Sequence, residues 1–316
     1  MTTNARVHLS RFGFGAAPIG NLYEEVTPEQ ALAAVDAAWE TGIRYFDTAP
    51  HYGLGLSERR LGAALAVRPR DEYVVSTKVG RLLEPVDGGG DDLANGFAVP
   101  ATHRRVWDFS ADGVRRSLES SVDRLGLARV DIALLHDVDL RPEFRAQAAS
   151  EGYPALAALR DQGVVDAVGV GLNHWETAEW FVRETDLDVV LLAGRYTLLD
   201  QSAEAFLDLC AERGVTVVAA GVFNSGVLAR PEVPDDATYD YATAPAELLD
   251  KARRIAAVCA RHDVTLPQAA LAFPFRHPAV ASVLVGARSA EEVHANAAHP
   301  PVPAELWDDL RAEGLL

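Results

Sequence analysis

The chain has few cysteines and no long apolar run. Its 316 residues include two cysteines, Cys210 and Cys259, which lie in segments of helical pattern and form no disulfide framework. No stretch of about 18 or more apolar residues is available to span a membrane, and the start of the chain lacks the apolar core of a signal peptide. These absences predict a reduced, cytoplasmic protein without a membrane segment.

Positive charge is also scarce, because 46 acidic residues outnumber 29 basic ones and leave a formal net charge of −17. Nucleic-acid binding needs clustered positive charge, so nucleic acid is not an expected partner, and we interpret the acidity as a contribution to solubility. Only two of the basic residues are lysines, Lys78 and Lys251. Lys78 lies within an apolar segment, where arginine cannot replace an ammonium that acts as a compact point charge.

Short apolar segments alternate with helical patterns along nearly the whole chain, without a linker or a low-complexity break. In the first helical segment Thr27 is a predicted N-cap, Pro28 occupies the first helical position and Gly42 ends the helix. Ser57 is the predicted cap of the second helix. The unbroken alternation predicts a single domain over residues 1–316.

Eight strand-like segments are apolar and β-branched without clean alternation, which favours a parallel sheet covered by helices. They predict an α/β fold, a (β/α)8 TIM barrel with an N-terminal hairpin and an extra C-terminal helix. A doubly wound dinucleotide-binding domain would need G-x-G-x-x-G after its first strand, and GFGAAPIG at 13–20 does not fit. The segments 81–109 and 221–245 are predicted to be long functional loops.

Four side chains suited to acid–base chemistry follow three neighbouring predicted strands. Asp47 ends the second strand, Tyr52 follows five residues later, Lys78 ends the third strand and His136 ends the fourth. Because barrel active sites lie at the C-terminal ends of the strands, these side chains are expected to meet. A tyrosine with a pKa of about 10 acts near neutrality only beside a cation, which Lys78 supplies and Asp47 keeps protonated. His136 can hydrogen-bond the substrate oxygen.

Taken singly, three of these residues also fit ordinary structural roles. Asp47 could cap a loop, Tyr52 could be a half-buried loop aromatic, and His136 could be a satisfied core histidine. Lys78 in its apolar strand has no such explanation. Their convergence favours catalysis, and we call Asp47, Tyr52, Lys78 and His136 the tetrad. A barrel hydrolase would need a carboxylate pair or a metal cluster, and the histidines have no convincing ligand spacing, so no metal is predicted.

The segments DTAPHYG, STKVG and DIALLHD contain the tetrad, and in order and spacing they resemble the aldo-keto reductase superfamily. The resemblance runs from about residue 11 to residue 312. Three further segments, RFGFGAAPIGNLY, VWDFSADGVRRSLESSVDRLGL and LLAGRYTLLDQ, resemble the branch that contains L-fucose dehydrogenase, D-threo-aldose 1-dehydrogenase and pyridoxal 4-dehydrogenase. This resemblance implies an NAD(P)-dependent oxidoreductase that uses the tetrad on a small-molecule sugar, aldehyde or alcohol.

The expected reaction is oxidation of an aldose, such as L-fucose or D-arabinose, at C1 to the lactone, with Tyr52 removing the hydroxyl proton. Candidate sugar contacts come from His51, Trp107 and Asn173. The alternatives are a pyridoxal 4-dehydrogenase, a general aldehyde or ketone reductase, and a non-catalytic nucleotide-binding regulatory subunit. An intact tetrad argues against the regulatory subunit, because a pure binder has no need for Tyr52 beside Lys78.

The resemblance also implies a nicotinamide site, with departures from the family pattern. The Ser-Asn pair that grips the carboxamide is Leu172-Asn173 here, preceded by Gly171. The aromatic residue that stacks on nicotinamide falls at Ala220, which leaves that role to Phe223.

The remaining cofactor contacts that the resemblance implies are Gly226, Leu228, Gly286, Arg288, Glu292 and Asn296. NADP-preferring relatives carry a basic residue four positions before the Asn that reads adenine, and here that position is Glu292. A carboxylate repels a 2′-phosphate and can accept a bond from a ribose hydroxyl, which favours NAD. NADP stays the alternative, because Arg288 can pair with a phosphate. Glu292 also fits a first helical turn, where acidic residues are favoured.

Overall fold

Eight parallel strands close into a barrel. A computed structural model describes residues 7–240, 242–297 and 301–316. The barrel strands are β1 (Phe12–Gly15), β2 (Tyr45–Asp47), β3 (Val74–Val79), β4 (Ile132–His136), β5 (Ala167–Leu172), β6 (Val189–Ala193), β7 (Thr216–Ala220) and β8 (Val280–Gly286). Each strand pairs with the next along the chain, and β8 pairs with β1. The predicted (β/α)8 barrel is confirmed.

Apolar side chains cover both faces of the barrel strands. Inward-facing residues, including Tyr45, Ile132 and Leu134, fill the barrel interior. Alternate residues of the same strands, such as Phe46 and Leu135, pack in a second layer with the surrounding helices. Because both faces are buried, the strand sequences lack the alternation of a half-exposed sheet.

The helices follow the strands in the order expected from the sequence. They are α1 (Pro28–Glu40), α2 (Leu56–Leu65), α3 (Ala111–Leu125), α4 (Tyr153–Asp161), α5 (Trp175–Glu184), α6 (Glu204–Arg213), α7 (Ala246–Arg261), α8 (Leu266–Ala272), α9 (Ala290–Ala297) and α10 (Ala304–Ala312). Thr27 caps α1 as predicted, since its hydroxyl accepts the Gln30 N–H at 3.2 Å and the Thr27 N–H donates to Gln30 Oε1 at 3.0 Å. The extra C-terminal helix is α10.

Ser57 does not cap the second helix. Helix α2 begins at Leu56 after Gly55, and Ser57 lies within its first turn. The Ser57 hydroxyl instead donates to the Ala16 carbonyl at 2.7 Å and bonds the Thr48 hydroxyl at 2.8 Å. The prediction was wrong because this serine is buried against the β1 and β2 ends, where tertiary partners replace the helix terminus.

The segment predicted as a long loop after β3 has its own strands. Arg81–Pro85 pairs antiparallel with His103–Trp107, and between them Asp91–Asp92 pairs with Phe97–Pro100. We call residues 81–107 the cap hairpin. It is attached to the loop after β1, because the Tyr23 N–H donates to the Gly96 carbonyl at 2.7 Å and the Ala98 N–H to the Asn21 carbonyl at 2.9 Å. Long-range pairing therefore orders a Gly/Asp-rich segment that has no strand periodicity.

The segment after β7 contains a shorter hairpin, in which Thr238–Tyr239 pairs with Ala242–Thr243. The predicted N-terminal hairpin is not seen in residues 7–11, which contain no strand, and residues 1–6 lie outside the described residues. In the described part of the chain, no helix has the length and apolar content needed to cross a membrane.

Candidate active site

The tetrad lies at the C-terminal ends of three adjacent barrel strands. Asp47 ends β2 opposite Ser76 of β3, and Lys78 of β3 lies opposite Leu134 of β4. Tyr52 is in the turn after β2. All four tetrad side chains line one cleft, which encloses about 1720 Å³ including its open mouth. The structure thus brings the four predicted residues together.

Lys78 is buried, and its ammonium has two oxygen acceptors. Nζ donates to Asp47 Oδ2 at 2.6 Å and to the Thr48 carbonyl at 2.9 Å. Ser76 Oγ donates to the other Asp47 oxygen at 2.6 Å. Burial by itself lowers the pKa of Lys78, but the charge and hydrogen bond of Asp47, with those of Tyr52, outweigh it and raise the pKa. The ammonium therefore stays charged.

Tyr52 lies against this ammonium, with 4.7 Å from Lys78 Nζ to the centroid of the phenol ring. Burial raises the pKa of Tyr52 to about 12, opposed by the positive charge of Lys78 and assisted by the negative charge of Asp47. At neutral pH the phenol is protonated. Its conjugate base has a cation in place, so Tyr52 can act as an acid or as a base depending on pH.

His136 is buried at the end of β4, and its ring lies 6.0 Å from the ring of Tyr52 between centroids. Burial, followed by the positive charge of Arg81, lowers the pKa of His136 well below its usual value. The imidazole is therefore neutral and carries a single N–H. Its Nε2 lies 3.4 Å from Asp137 Oδ2, and its buried Nδ1 has no hydrogen-bond partner.

His51 is held by the cap hairpin. Arg105 Nε donates to His51 Nδ1 at 2.5 Å, and a second Arg105 nitrogen donates to the His51 carbonyl at 3.0 Å. Asp92 accepts two further bonds from Arg105, at 2.7 Å and 2.5 Å. Burial, then the charges of Arg81 and Arg105, lower the pKa of His51 to about 2. The neutral ring must carry its proton on Nε2, so His51 lines the cleft as a hydrogen-bond donor.

Two charged residues of the cleft, Arg81 and Asp137, were not predicted from the sequence. They form an ion pair, and both line the cleft beside the tetrad. The available signal was their position, since Arg81 follows Lys78 by three residues and Asp137 directly follows His136. The Arg81 guanidinium lies 4.1 Å from the centroid of the Trp107 ring, so one part of the predicted sugar-binding indole is already covered.

The cleft continues into a groove of about 860 Å³ at the ends of β5 to β8. Four of the predicted cofactor residues line this groove: Asn173, Phe223, Gly226 and Gly286. Gly171 lines the cleft itself, where a Cβ would lie 3.5 Å from Lys78 Cε. Leu228 does not reach the groove, because its side chain is fully buried in the core and its N–H is bonded to the Phe223 carbonyl at 3.1 Å. The structure thus corrects that assignment.

The groove side of the β7 loop has features that fit a dinucleotide. Asn224 and Ser225 adopt φ values of 47° and 57°, and Gly226 follows at 105°. The N–H groups of Asn224 and Gly226 are bonded within the loop, to the Gly221 and Phe223 carbonyls at 2.9 Å and 3.0 Å, and strained backbone of this kind is typical of ligand-binding loops. Asn224 Oδ1 is buried beside the groove without a hydrogen-bond partner. Among the described residues, no cluster of three or more His, Cys, Asp or Glu side chains is arranged to hold a metal ion.

The predicted adenosine end is less directly connected to the groove. Arg288 is ion-paired with Glu24 and with Glu292, whose other oxygen accepts the Arg288 N–H at 2.9 Å. Two carboxylates therefore already neutralise Arg288. Asn296 lies further along α9 and borders a separate, mostly apolar cavity together with Phe14, so the structure does not bring it to the groove.

The chain is similar in sequence and in fold to known proteins over nearly its full length. The model of the aldo/keto reductase family matches residues 11–311. The chain is 46% identical over 318 residues to a D-threo-aldose 1-dehydrogenase from Pseudomonas sp, covering 99% of this chain and 96% of the relative. It is 41% identical over 326 residues to a pyridoxal 4-dehydrogenase from Microbacterium luteolum, covering 98% and 95%. The solved structure of the aldo-keto reductase AKR11C1 from Bacillus halodurans matches with a TM-score of 0.75 at 25% identity, covering 98% and 94%.

Proposed function

The chain belongs to the aldo/keto reductase family and is a dehydrogenase acting on CH–OH groups, and we propose that it oxidises an aldose at C1 to the lactone with NAD. L-Fucose and D-arabinose are the proposed substrates. The observation that carries the proposal is the placement of Tyr52 against the Lys78 ammonium, which is hydrogen-bonded to Asp47, in one cleft. The 46% identity to a D-threo-aldose 1-dehydrogenase supports the aldose.

In the proposed reaction Tyr52 accepts the proton of the C1 hydroxyl. The ammonium of Lys78 stabilises the phenolate that must form first, and Asp47 keeps Lys78 charged and oriented through the 2.6 Å ion pair. His136, a neutral imidazole near the Tyr52 ring, holds the C1 oxygen by a hydrogen bond. These residues hold the reacting hydroxyl and its base in a fixed geometry. This arrangement lowers the entropic part of the activation barrier.

The nicotinamide cofactor, when bound, accepts the hydride that leaves C1. Asn173, which lines the groove, would hold its carboxamide, and the β7 loop around Asn224 and Gly226 would border the rest of the dinucleotide. Leu172, in place of the family serine, is 1% exposed and offers no hydroxyl. Asn173 therefore carries the carboxamide contact without that partner.

A substrate screen tests the proposal. Purified protein is assayed for reduction of NAD and of NADP with L-fucose, D-arabinose, other aldoses and pyridoxal, and the product is identified as a lactone by NMR. We expect aldose-dependent reduction of NAD. Activity confined to pyridoxal would support the second candidate, which the 41% identical relative favours. Activity confined to NADPH and simple aldehydes would reject the sugar substrate and retain the barrel oxidoreductase.

The pH dependence of oxidation follows from the raised pKa of Tyr52. Oxidation needs the phenolate, which is the minor form below the pKa of about 12, so kcat/KM should rise about tenfold per unit between roughly pH 7 and pH 10. Carbonyl reduction needs the neutral phenol and should stay level over this range. Initial rates in both directions at constant ionic strength provide the measurement. A level oxidation profile would show that Tyr52 is not the base.

The preference for NAD is expected to depend on Glu292. The substitution Glu292→Gln removes the negative charge that repels the 2′-phosphate of NADP. We therefore expect kcat/KM for NADP to rise by about tenfold, while kcat/KM for NAD changes little. The matched control is Glu291→Gln, which removes the same charge from the same helical turn but does not contact Arg288. Equal effects of the two variants would assign the preference to general surface charge.

A further inference from the structure

We propose that Arg81 and Asp137 form the recognition site for two adjacent hydroxyls of the sugar, next to the C1 hydroxyl that reacts. This inference rests on the proposed aldose oxidation and names the residues that would select for it. The pair lies at the ends of β3 and β4, the strands that also carry Lys78 and His136. A substrate whose C1 is held at His136 would therefore present its neighbouring carbons to this pair.

Arg81 is a buried arginine whose donors are not all used. Its side chain is 5% exposed, it is ion-paired with Asp137, and its Nε has no hydrogen-bond partner. The ring of Trp107 lies 4.1 Å from the guanidinium carbon. The indole therefore covers one part of the guanidinium, while Arg81 still lines the cleft. Burying a guanidinium without satisfying its donors is costly, which a substrate acceptor would offset.

Asp137 is held in an unusual conformation beside the reacting centre. Its φ of 47° is in the left-handed region, which a non-glycine residue adopts at a cost in free energy. The conformation brings Oδ2 to 3.4 Å from His136 Nε2 and Oδ1 to 3.4 Å from Asn173 Nδ2, both at the long limit of a hydrogen bond. The carboxylate is therefore loosely held by its neutral neighbours and has acceptor capacity for a ligand.

The chemistry of the pair selects for a neutral polyol. Each sugar hydroxyl donates one hydrogen bond and accepts others, which matches a carboxylate acceptor beside a guanidinium donor. An anionic ligand would be attracted by Arg81 but repelled by Asp137 and by Asp139, whose negative charge also acts on Asp137. An apolar aldehyde would offer neither charged group a hydrogen bond. The site thus favours an aldose with hydroxyls next to C1.

The test compares an aldose with its 2-deoxy form, which for D-arabinose is 2-deoxy-D-ribose. Wild-type enzyme is expected to prefer D-arabinose by about 100-fold in kcat/KM, because a site built to bind a hydroxyl rejects the analogue that lacks it. In Arg81→Met and in Asp137→Asn, this preference should fall to about threefold or less, mainly through loss of activity on D-arabinose. Differences in intrinsic reactivity of the two sugars cancel, because they are the same for every variant.

Three controls separate recognition from folding. Arg81→Lys retains a positive charge for Asp137 but loses the planar fork, so it should fold and still lose the preference. Arg141→Met removes the other arginine near Trp107, at 5.3 Å from its ring, and should leave the preference unchanged. Circular dichroism and NAD binding are measured for each variant to establish that it is folded.

The outcomes distinguish this inference from the function on which it rests. If wild-type enzyme oxidises no aldose, the proposed function fails and the inference fails with it. If it oxidises aldoses but folded Arg81 and Asp137 variants lose activity on both sugars by the same factor, the inference is overturned and the function stands. A selective loss on the sugar that carries the hydroxyl at C2 supports it.

Discussion

Tyr52→Phe is expected to lower kcat for aldose oxidation by about a thousandfold or more, since a positioned acid–base group contributes about 10²–10⁴ in rate. The change removes only the hydroxyl and leaves the ring that packs near His51, Phe97 and His136. KM for the sugar should change little, because the lost interaction acts mainly in the transition state. Steady-state rates with NAD and isothermal titration of NAD binding measure the two effects separately.

Tyr73→Phe is the matched control for this variant. Tyr73 is also buried, but it packs against Trp39 in the helical layer, where its ring centroid lies 6.2 Å from the indole. Loss of its hydroxyl should leave kcat within about twofold of the wild-type value, as expected for an ordinary core change. Near-normal turnover by Tyr52→Phe would reject the proposed mechanism outright, because that mechanism assigns removal of the hydroxyl proton to Tyr52.

Lys78→Met is expected to lower both activity and stability. The variant removes the cation beside Tyr52, so oxidation should become too slow to follow by the standard assay. It also leaves the Asp47 carboxylate buried, with a side chain 2% exposed and Ser76 as its remaining side-chain partner. Breaking a buried ion pair in this way costs about 3–5 kcal/mol, which should lower Tm by on the order of 10 °C. Thermal unfolding followed by circular dichroism measures the change.

A double variant separates the two effects of Lys78. In Asp47→Asn/Lys78→Met the uncompensated charge is gone, while an amide oxygen can still accept the Ser76 hydrogen bond, so at least half of the lost stability should return. Activity should stay as low as in the single variant, because Tyr52 still lacks its cation. Lys251→Met, at the other lysine of the chain, is the control, and both Tm and kcat should stay near wild type. Recovery of activity in the double variant would contradict the role of Lys78.

Much of the fold could be predicted because its signals are local. Thr27 and Pro28 mark the start of α1 by cap and turn chemistry, and the apolar strands are recognisable because both of their faces are buried. Ser57 was misassigned because its sequence context is the same in two cases. The hydroxyl of a serine before a helical pattern can accept a bond at the helix terminus or donate to a distant carbonyl. The strands of the cap hairpin were not predicted, because the sequence of this segment has no strand periodicity and its strands form by pairing with one another.

The tetrad was predictable because barrel geometry converts a position at a strand end into a position in the cleft. Arg81 and Asp137 stand at such positions too, yet a charged residue after a strand is ordinary loop composition until its partners are known. Arg105 carried no signal at all. Its contact with His51 joins residues 54 positions apart, and only the folded cap hairpin creates it.

The scarcity of lysine marked Lys78 at the outset, and by itself the sequence determined the barrel, the order of its strands and the identity of the tetrad. These follow from periodicity, capping and strand-end position, which are properties of neighbouring residues. Only the tertiary structure decided the protonation states and the surroundings of those residues: the neutral rings of His51 and His136, the raised pKa of Tyr52, and the pairing of Arg81 with Asp137. Burial and charge at short range set these properties, and both depend on which distant segments meet.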